Sequence, residues 1–122
     1  LKLTYIFISH DLSVVRHISD HVGVMYLGEL VEYADRNTIF DSPLHPYTQA
    51  LLSAIPSVDL DNRRQRVTLK GEITSPINPA PGCRFAPRCP YAEKRCFEAS
   101  PPRYEVESGH MVACFRMENR HC

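Results

Sequence analysis

Two groups of residues in this 122-residue sequence carry side chains able to do chemistry. The first is a run of cysteines: Cys83, Cys89, Cys96 and Cys114, with five, six and seventeen residues between successive members, and Cys122 after seven more. Four thiolates in one short segment are enough for structural zinc or for an iron–sulfur cluster. Zinc knuckles usually leave only about two to four residues between ligands, and common cluster motifs are also tighter. The spacing therefore predicts a metal without choosing it. Cys122 lies beyond Phe115 in a polar tail and is expected to be free; His110, near Cys114, is a reserve ligand. The second group is Ser9-His10-Asp11, which ends the apolar run Tyr5-Ile6-Phe7-Ile8. Such a run, closed by polar residues, predicts a buried strand of a parallel sheet over residues 5–9. Ligands of open α/β sheets gather at the carboxyl ends of such strands, which makes His10 a candidate contact.

The elements that must position these groups read as follows. Ser9 or Asp11 caps a helix with Leu12, Val15 and Ile18 on one face, closed by Asp20-His21. Val22 to Leu27 and Leu30 to Tyr33 form a hairpin about Gly28, with Glu29 and Glu32 on its solvent side. Asp35 starts a short helix through Ile39-Phe40, and a second helix runs from Tyr47 to Ile55, where Pro56 stops it. His45, between Pro43 and Pro46, holds a loop. Residues 59–66 are charged and linker-like, 67–73 suggest a short strand, and the prolines at 76, 79 and 81 exclude helix or central strand there.

Composition narrows the function classes. Acidic and basic residues balance at 14 each, against a dedicated nucleic-acid binder. No apolar run approaches the roughly 18 residues of a membrane span. The start Leu1-Lys2-Leu3-Thr4 has neither an initiator Met nor a leader pattern, so a piece of a longer chain is expected. All five cysteines follow residue 82 and eight of the ten prolines lie at or after Pro56. That second half is too turn-rich to build much core, and an odd cysteine count without a secretion signal favours a metal staple over disulfides. Four thiolates around zinc or a cluster leave a net charge of about −2. Arg84, Arg88, Lys94 and Arg95 stand beside the ligands and offer to offset it.

Phe7-Ile8-Ser9-His10-Asp11-Leu12, Asp20-His21-Val22 and Val24-Met25-Tyr26-Leu27-Gly28-Glu29-Leu30-Val31-Glu32 resemble the C-terminal third of an ABC transporter ATPase domain. Phe40-Asp41-Ser42-Pro43-Leu44-His45-Pro46-Tyr47-Thr48-Gln49-Ala50-Leu51-Leu52 and Gly82-Cys83-Arg84-Phe85-Ala86-Pro87-Arg88-Cys89-Pro90 narrow this. They are similar to the ATP-binding subunits of oligopeptide and dipeptide importers. The phosphate-binding loop, the Leu-Ser-Gly-Gly-Gln motif and the strand carrying the Mg²⁺ aspartate and catalytic glutamate are absent from this sequence; in the family they lie upstream.

The resemblance implies an α/β fold, the C-terminal fragment of an ABC ATPase (P-loop NTPase) domain followed by a small, irregular Cys-rich extension. The expected divisions are 1–56 for the ATPase part, 57–75 for a linker and 76–122 for the extension. It implies that His10 is the switch-loop histidine, catalytic and in contact with the γ-phosphate of ATP held with Mg²⁺ in the full-length protein. It also implies that Cys83, Cys89, Cys96 and Cys114 hold a [4Fe–4S] cluster, with zinc as the alternative. The implied function is part of the ATP-hydrolysing motor of an oligopeptide, dipeptide or nickel-type importer, peripheral on the cytoplasmic face of the cell (inner) membrane and inactive as this fragment alone. Its partners would be a second ATPase subunit, two transmembrane permease subunits and an extracytoplasmic peptide-binding protein, with no nucleic acid. The other reading of the residues is a stand-alone metal-binding interaction module.

Overall fold

The computed structural model describes residues 3–55, 69, 71–72, 75 and 77–120. The linker expected over 59–66, most of the strand expected over 67–73, and Cys122 lie outside the described residues. Asp11 caps the first helix: its carboxylate accepts the N–H groups of Ser13 and Val14 at 3.0 and 3.3 Å, and α1 runs Leu12–Ile18. A hairpin follows, with β1 His21–Tyr26 antiparallel to β2 Glu29–Asp35. Its turn takes left-handed backbone at two successive residues, Leu27 (φ 46°) and Gly28 (φ 82°), the geometry that matches the twist of a tight hairpin. Gly28 adopts this freely; Leu27 does so at a cost of roughly 1–2 kcal/mol, and its carbonyl accepts from the Arg84 guanidinium.

Asp35 ends β2 and caps α2, Arg36–Asp41, by accepting the Thr38 N–H at 3.1 Å. The helix α3, Pro46–Ser53, opens with proline at its first position, where a missing N–H costs nothing. Its cap is His45, whose Nδ1 accepts the Tyr47 N–H at 3.1 Å. The second half contributes a 3-10 turn at Ala86–Arg88, α4 Lys94–Glu98, β3 Tyr104–Glu107, β4 His110–Val112 and a 3-10 turn at Phe115–Met117. The extension expected to be irregular thus has a hairpin and a helical turn, and β4 docks on β2. The result is a small α/β domain with one four-stranded sheet, ordered β1-β2-β4-β3 and antiparallel throughout.

The strand expected over residues 5–9 is a correction. Those residues adopt no regular structure, and Ile6 and Ile8 are each 93% exposed. A strand exists only through ladder bonds to a neighbour. None of the sheet's four strands lies beside this segment. Apolar character alone supplies no partner.

One face of the sheet makes the core. Val22, Val24 and Tyr26 alternate inward from β1, against Ile39, Phe40 and Leu52 from α2 and α3. In β2 the alternation breaks. Val24 pairs with Glu32 and Met25 with Leu30, so Val31 is an extra residue in a β-bulge, and both Val31 and Glu32 face inward. Glu32, expected on the solvent side, is 1% exposed. Its Oε1 accepts the Leu44 N–H at 2.9 Å and His110 Nε2 at 2.7 Å; its Oε2 accepts the His45 N–H at 3.0 Å. One carboxylate therefore joins β2, the loop before α3, and β4. Removing one member of such a buried network leaves its partners unsatisfied and desolvated. Glu32→Ala is expected to cost about 3–5 kcal/mol, and Glu32→Gln, which keeps one acceptor oxygen, less. Urea unfolding midpoints check this; a loss under about 1 kcal/mol for Glu32→Ala would show the carboxylate to be dispensable.

Candidate metal centre

Cys83, Cys89, Cys96 and Cys114 arrive from four separate local structures and line one cavity. It holds about 390 Å³ of empty space, part of it open to solvent, and is also lined by His45, Phe85, Tyr91 and Arg116. Cys83 follows Gly82, and Cys89 follows the 3-10 turn at Ala86–Arg88. Cys96 sits in α4 and Cys114 opens the turn at Phe115–Met117. All four cysteines are free thiols.

Gly82 is the residue that lets two of them meet. Its φ is 97°, and a Cβ there would stand 2.4 Å from the Cys96 carbonyl oxygen. That closeness allows the Cys83 N–H to donate to Cys96 O at 2.7 Å. Arg95 performs a similar service on the other side. It pairs with Glu93 at 3.1 Å and Glu118 at 2.7 Å, donates to Phe115 O at 3.4 Å, and stacks over the Phe115 ring. Cys96 and Cys114 are the chain neighbours of Arg95 and Phe115, so this staple holds them close.

Nearby backbone N–H groups act to favour the thiolate: those of Phe85 and Ala86 at Cys83, of Tyr91 at Cys89 and of Arg116 at Cys114. The Glu93 N–H donates to Cys96 Sγ at 3.4 Å. Donors of this kind favour the thiolate. Burial opposes them and is the larger effect, pushing the Cys83, Cys89 and Cys114 thiols up; Cys96 adds to the shift in each. Arg116 draws Cys89 and Cys114 back down. A coordinated metal would deprotonate these thiols outright. Among the described residues, no three His, Cys, Asp or Glu side chains converge closely enough to hold a metal ion as they stand.

The charged residues fall differently from their sequence reading. Arg84 is committed to Glu29 at 3.2 Å and to the Leu27 carbonyl, Arg95 to its staple, and Lys94 to Glu98 at 3.7 Å. The cation lining the cavity is Arg116, which lies 3.9 Å over the Tyr91 ring. His110, the reserve ligand, is turned to Glu32 instead. His10 is exposed, one residue before the cap Asp11, and does not line the cysteine cavity.

Sequence reasoning missed Phe85 and His45. Phe85, 1% exposed, contacts Tyr26, Tyr47 and His45 with ring centroids 5.2, 5.4 and 5.6 Å apart. This aromatic cluster mounts the cysteine loop on the hairpin and α3. His45 is also 1% exposed, and burial drives its pKa down to about 4, so the ring is neutral. The only signal for either was a large side chain in a polar, proline-rich setting.

A family model described as "Oligopeptide/dipeptide transporter, C-terminal region" matches residues 31–96. The chain belongs to that family. The match takes in Glu32, the His45 cap and three of the four cysteines, but not His110. Among similar proteins, the oligopeptide transport ATP-binding protein AppF of Bacillus subtilis is 55% identical over 115 residues, 93% of this chain and 35% of its own. The dipeptide transport ATP-binding proteins DppF of Escherichia coli and of Haemophilus influenzae are 52% and 51% identical, each over 97% of this chain. The chain spans about a third of the length of the curated relatives it matches, 35–36%.

Gly82→Ala is the sharpest probe of the cavity. The added Cβ cannot coexist with the Cys96 carbonyl, and φ 97° disfavours any L side chain. The variant is expected to unfold at lower urea concentration and to expose the Cys83 thiol to alkylation at least several-fold faster. Wild-type alkylation rates would show that Gly82 does not hold Cys83 against Cys96.

Proposed function

We propose that the chain is the C-terminal part of the ATP-binding subunit of a peptide ABC importer, and that its four clustered cysteines hold a metal centre. Membership of the transporter C-terminal-region family supports the first half, and the shared cavity of Cys83, Cys89, Cys96 and Cys114 carries the second. Residues 1–56 would complete the ATPase domain, 57–75 link, and 76–122 form the Cys-rich extension. The subunit would sit peripherally on the cytoplasmic face of the cell (inner) membrane and bind ATP with Mg²⁺. It would pair with a second ATPase subunit and act on two permease subunits fed by a peptide-binding protein. Among the described residues no helix is long and apolar enough to cross a membrane.

The donor set suits a sulfur-ligated metal: four thiols line one cavity, and the Glu93 N–H donates to Cys96 Sγ. We read the centre as a [4Fe–4S] cluster, with zinc as the alternative. Such a cluster supplies cross-linking of four chain segments and one-electron chemistry. Arg116 is placed to offset the residual negative charge. Anaerobic purification of the full-length subunit is expected to give brown protein with about four irons per chain. Replacing any one of the four cysteines with serine should lower both iron content and thermal midpoint. Full stability with all four replaced would refute the metal reading.

His10 is proposed as the contact to the γ-phosphate. A ring N–H there would stabilise charge that develops in the phosphoryl-transfer transition state. In the full-length subunit, His10→Ala is expected to slow ATP hydrolysis on the order of 10²–10³-fold while ATP binding is largely kept. Parallel loss of binding and turnover would assign His10 a structural role.

A further inference from the structure

Tyr26 closes β1 and is 5% exposed, yet its hydroxyl oxygen is buried with no hydrogen-bond partner among the described residues. The Arg88 Nε is buried without a partner in the same way, and among the described residues no carboxylate pairs with this guanidinium. Tyr47, in the first turn of α3, belongs to the same group. Its ring meets that of Tyr26 edge-on with centroids 4.7 Å apart, and both rings contact Phe85, three residues before Arg88. Burial pushes the Tyr47 hydroxyl up, Tyr26 adds to the rise and Arg88 draws it back, so both lie within electrostatic reach of it. Tyr47 and Arg88 are half-buried, so the group is not sealed from solvent. Buried polar atoms of folded proteins are nearly always hydrogen-bonded, and two orphans in reach of one hydroxyl call for a shared acceptor.

We propose that Tyr26, Tyr47 and Arg88 form a binding site for a carboxylate brought from outside the subunit. The donor inventory selects this class. A guanidinium only donates, and a neutral phenol has one O–H to give. A carboxylate accepts at two oxygens, and its planar fork matches that of a guanidinium. The charge matches as well: one guanidinium offsets one carboxylate, but would leave the second charge of a phosphate uncompensated beside the apolar Phe85 ring. The site is built by the aromatic cluster that mounts the cysteine loop, and it needs neither a metal nor a cysteine.

The test uses the full-length subunit with isotope-labelled acetate as the probe, titrated by NMR and compared with phosphate at matched ionic strength. Acetate is expected to bind saturably and to raise the thermal midpoint by about 2–4 °C over chloride. Arg88→Gln is expected to weaken acetate binding at least about tenfold. Tyr26→Phe removes only the unpartnered hydroxyl. In chloride it should keep or raise the midpoint, and in acetate it should lose part of the gain. This variant carries the test if Arg88→Gln does not fold. No saturable acetate binding by wild type overturns the inference, as does unchanged binding in Tyr26→Phe. Phosphate binding as tight as that of acetate overturns the carboxylate assignment. A lower midpoint for Tyr26→Phe in chloride shows that the hydroxyl already has a partner, and overturns it too. A further arm rests on the importer reading and identifies the source. In complex with the permease subunits, lost acetate binding assigns the carboxylate to a partner subunit, and retained binding assigns it to a free ligand. If no such complex assembles, the importer reading fails while the acetate result on the subunit stands.

Discussion

A single buried carboxylate holds this molecule in register. Glu32 has no access to water, so its free energy depends on the three donors that meet it. Those donors come from the loop before α3 and from β4, 12, 13 and 78 residues along the chain. The attachment of the second half to the first is therefore an electrostatic one at its centre, with Val112 packed beside it and 0% exposed. A carboxylate tolerates few other arrangements of its donors, whereas an apolar contact would accept several. The junction thus selects one docking of β4 on β2.

Around that junction two further devices carry the cysteine loop. The Tyr26, Tyr47 and Phe85 rings meet edge-on or tilted, with Phe85 supplied by the loop itself. Arg84, the neighbouring residue, reaches back to the hairpin turn and to Glu29. The loop is pinned on both sides before any sulfur is considered. This explains how thiols separated widely in sequence come to line one cavity: their placement follows from the aromatic and arginine contacts.

The ends of the chain differ in how far the fold serves them. At the amino end Tyr5 to Ile8 present apolar side chains to solvent, because no strand of this sheet runs alongside. That segment and His10 lie outside what the described sheet organises. At the other end β3 and β4 join the hairpin through the sheet, and the Arg95 staple ties α4 to the turn at Phe115–Met117. The span matched by the transporter C-terminal-region family covers Glu32, His45 and most of the cysteines but not His10.

Local chemistry was legible from the sequence wherever one residue decides the outcome. Asp11 and Asp35 as caps, the hairpin about Gly28 and the grouping of four cysteines all follow from side-chain and backbone preferences acting over a few residues. Family membership was legible as well, because long motifs survive in the chain. Tertiary structure alone decided the inward turn of Glu32, since a one-residue bulge reverses the alternation of a strand without any mark in composition. It alone decided that His110 faces Glu32 while Cys114 faces the cavity, and that Arg116 rather than Arg84 or Arg95 is the cation there. It also overruled the strand at residues 5–9, whose pattern was right for a sheet. Pairing partners, unlike caps and turns, are supplied by distant chain, and no reading of the segment itself can reveal them.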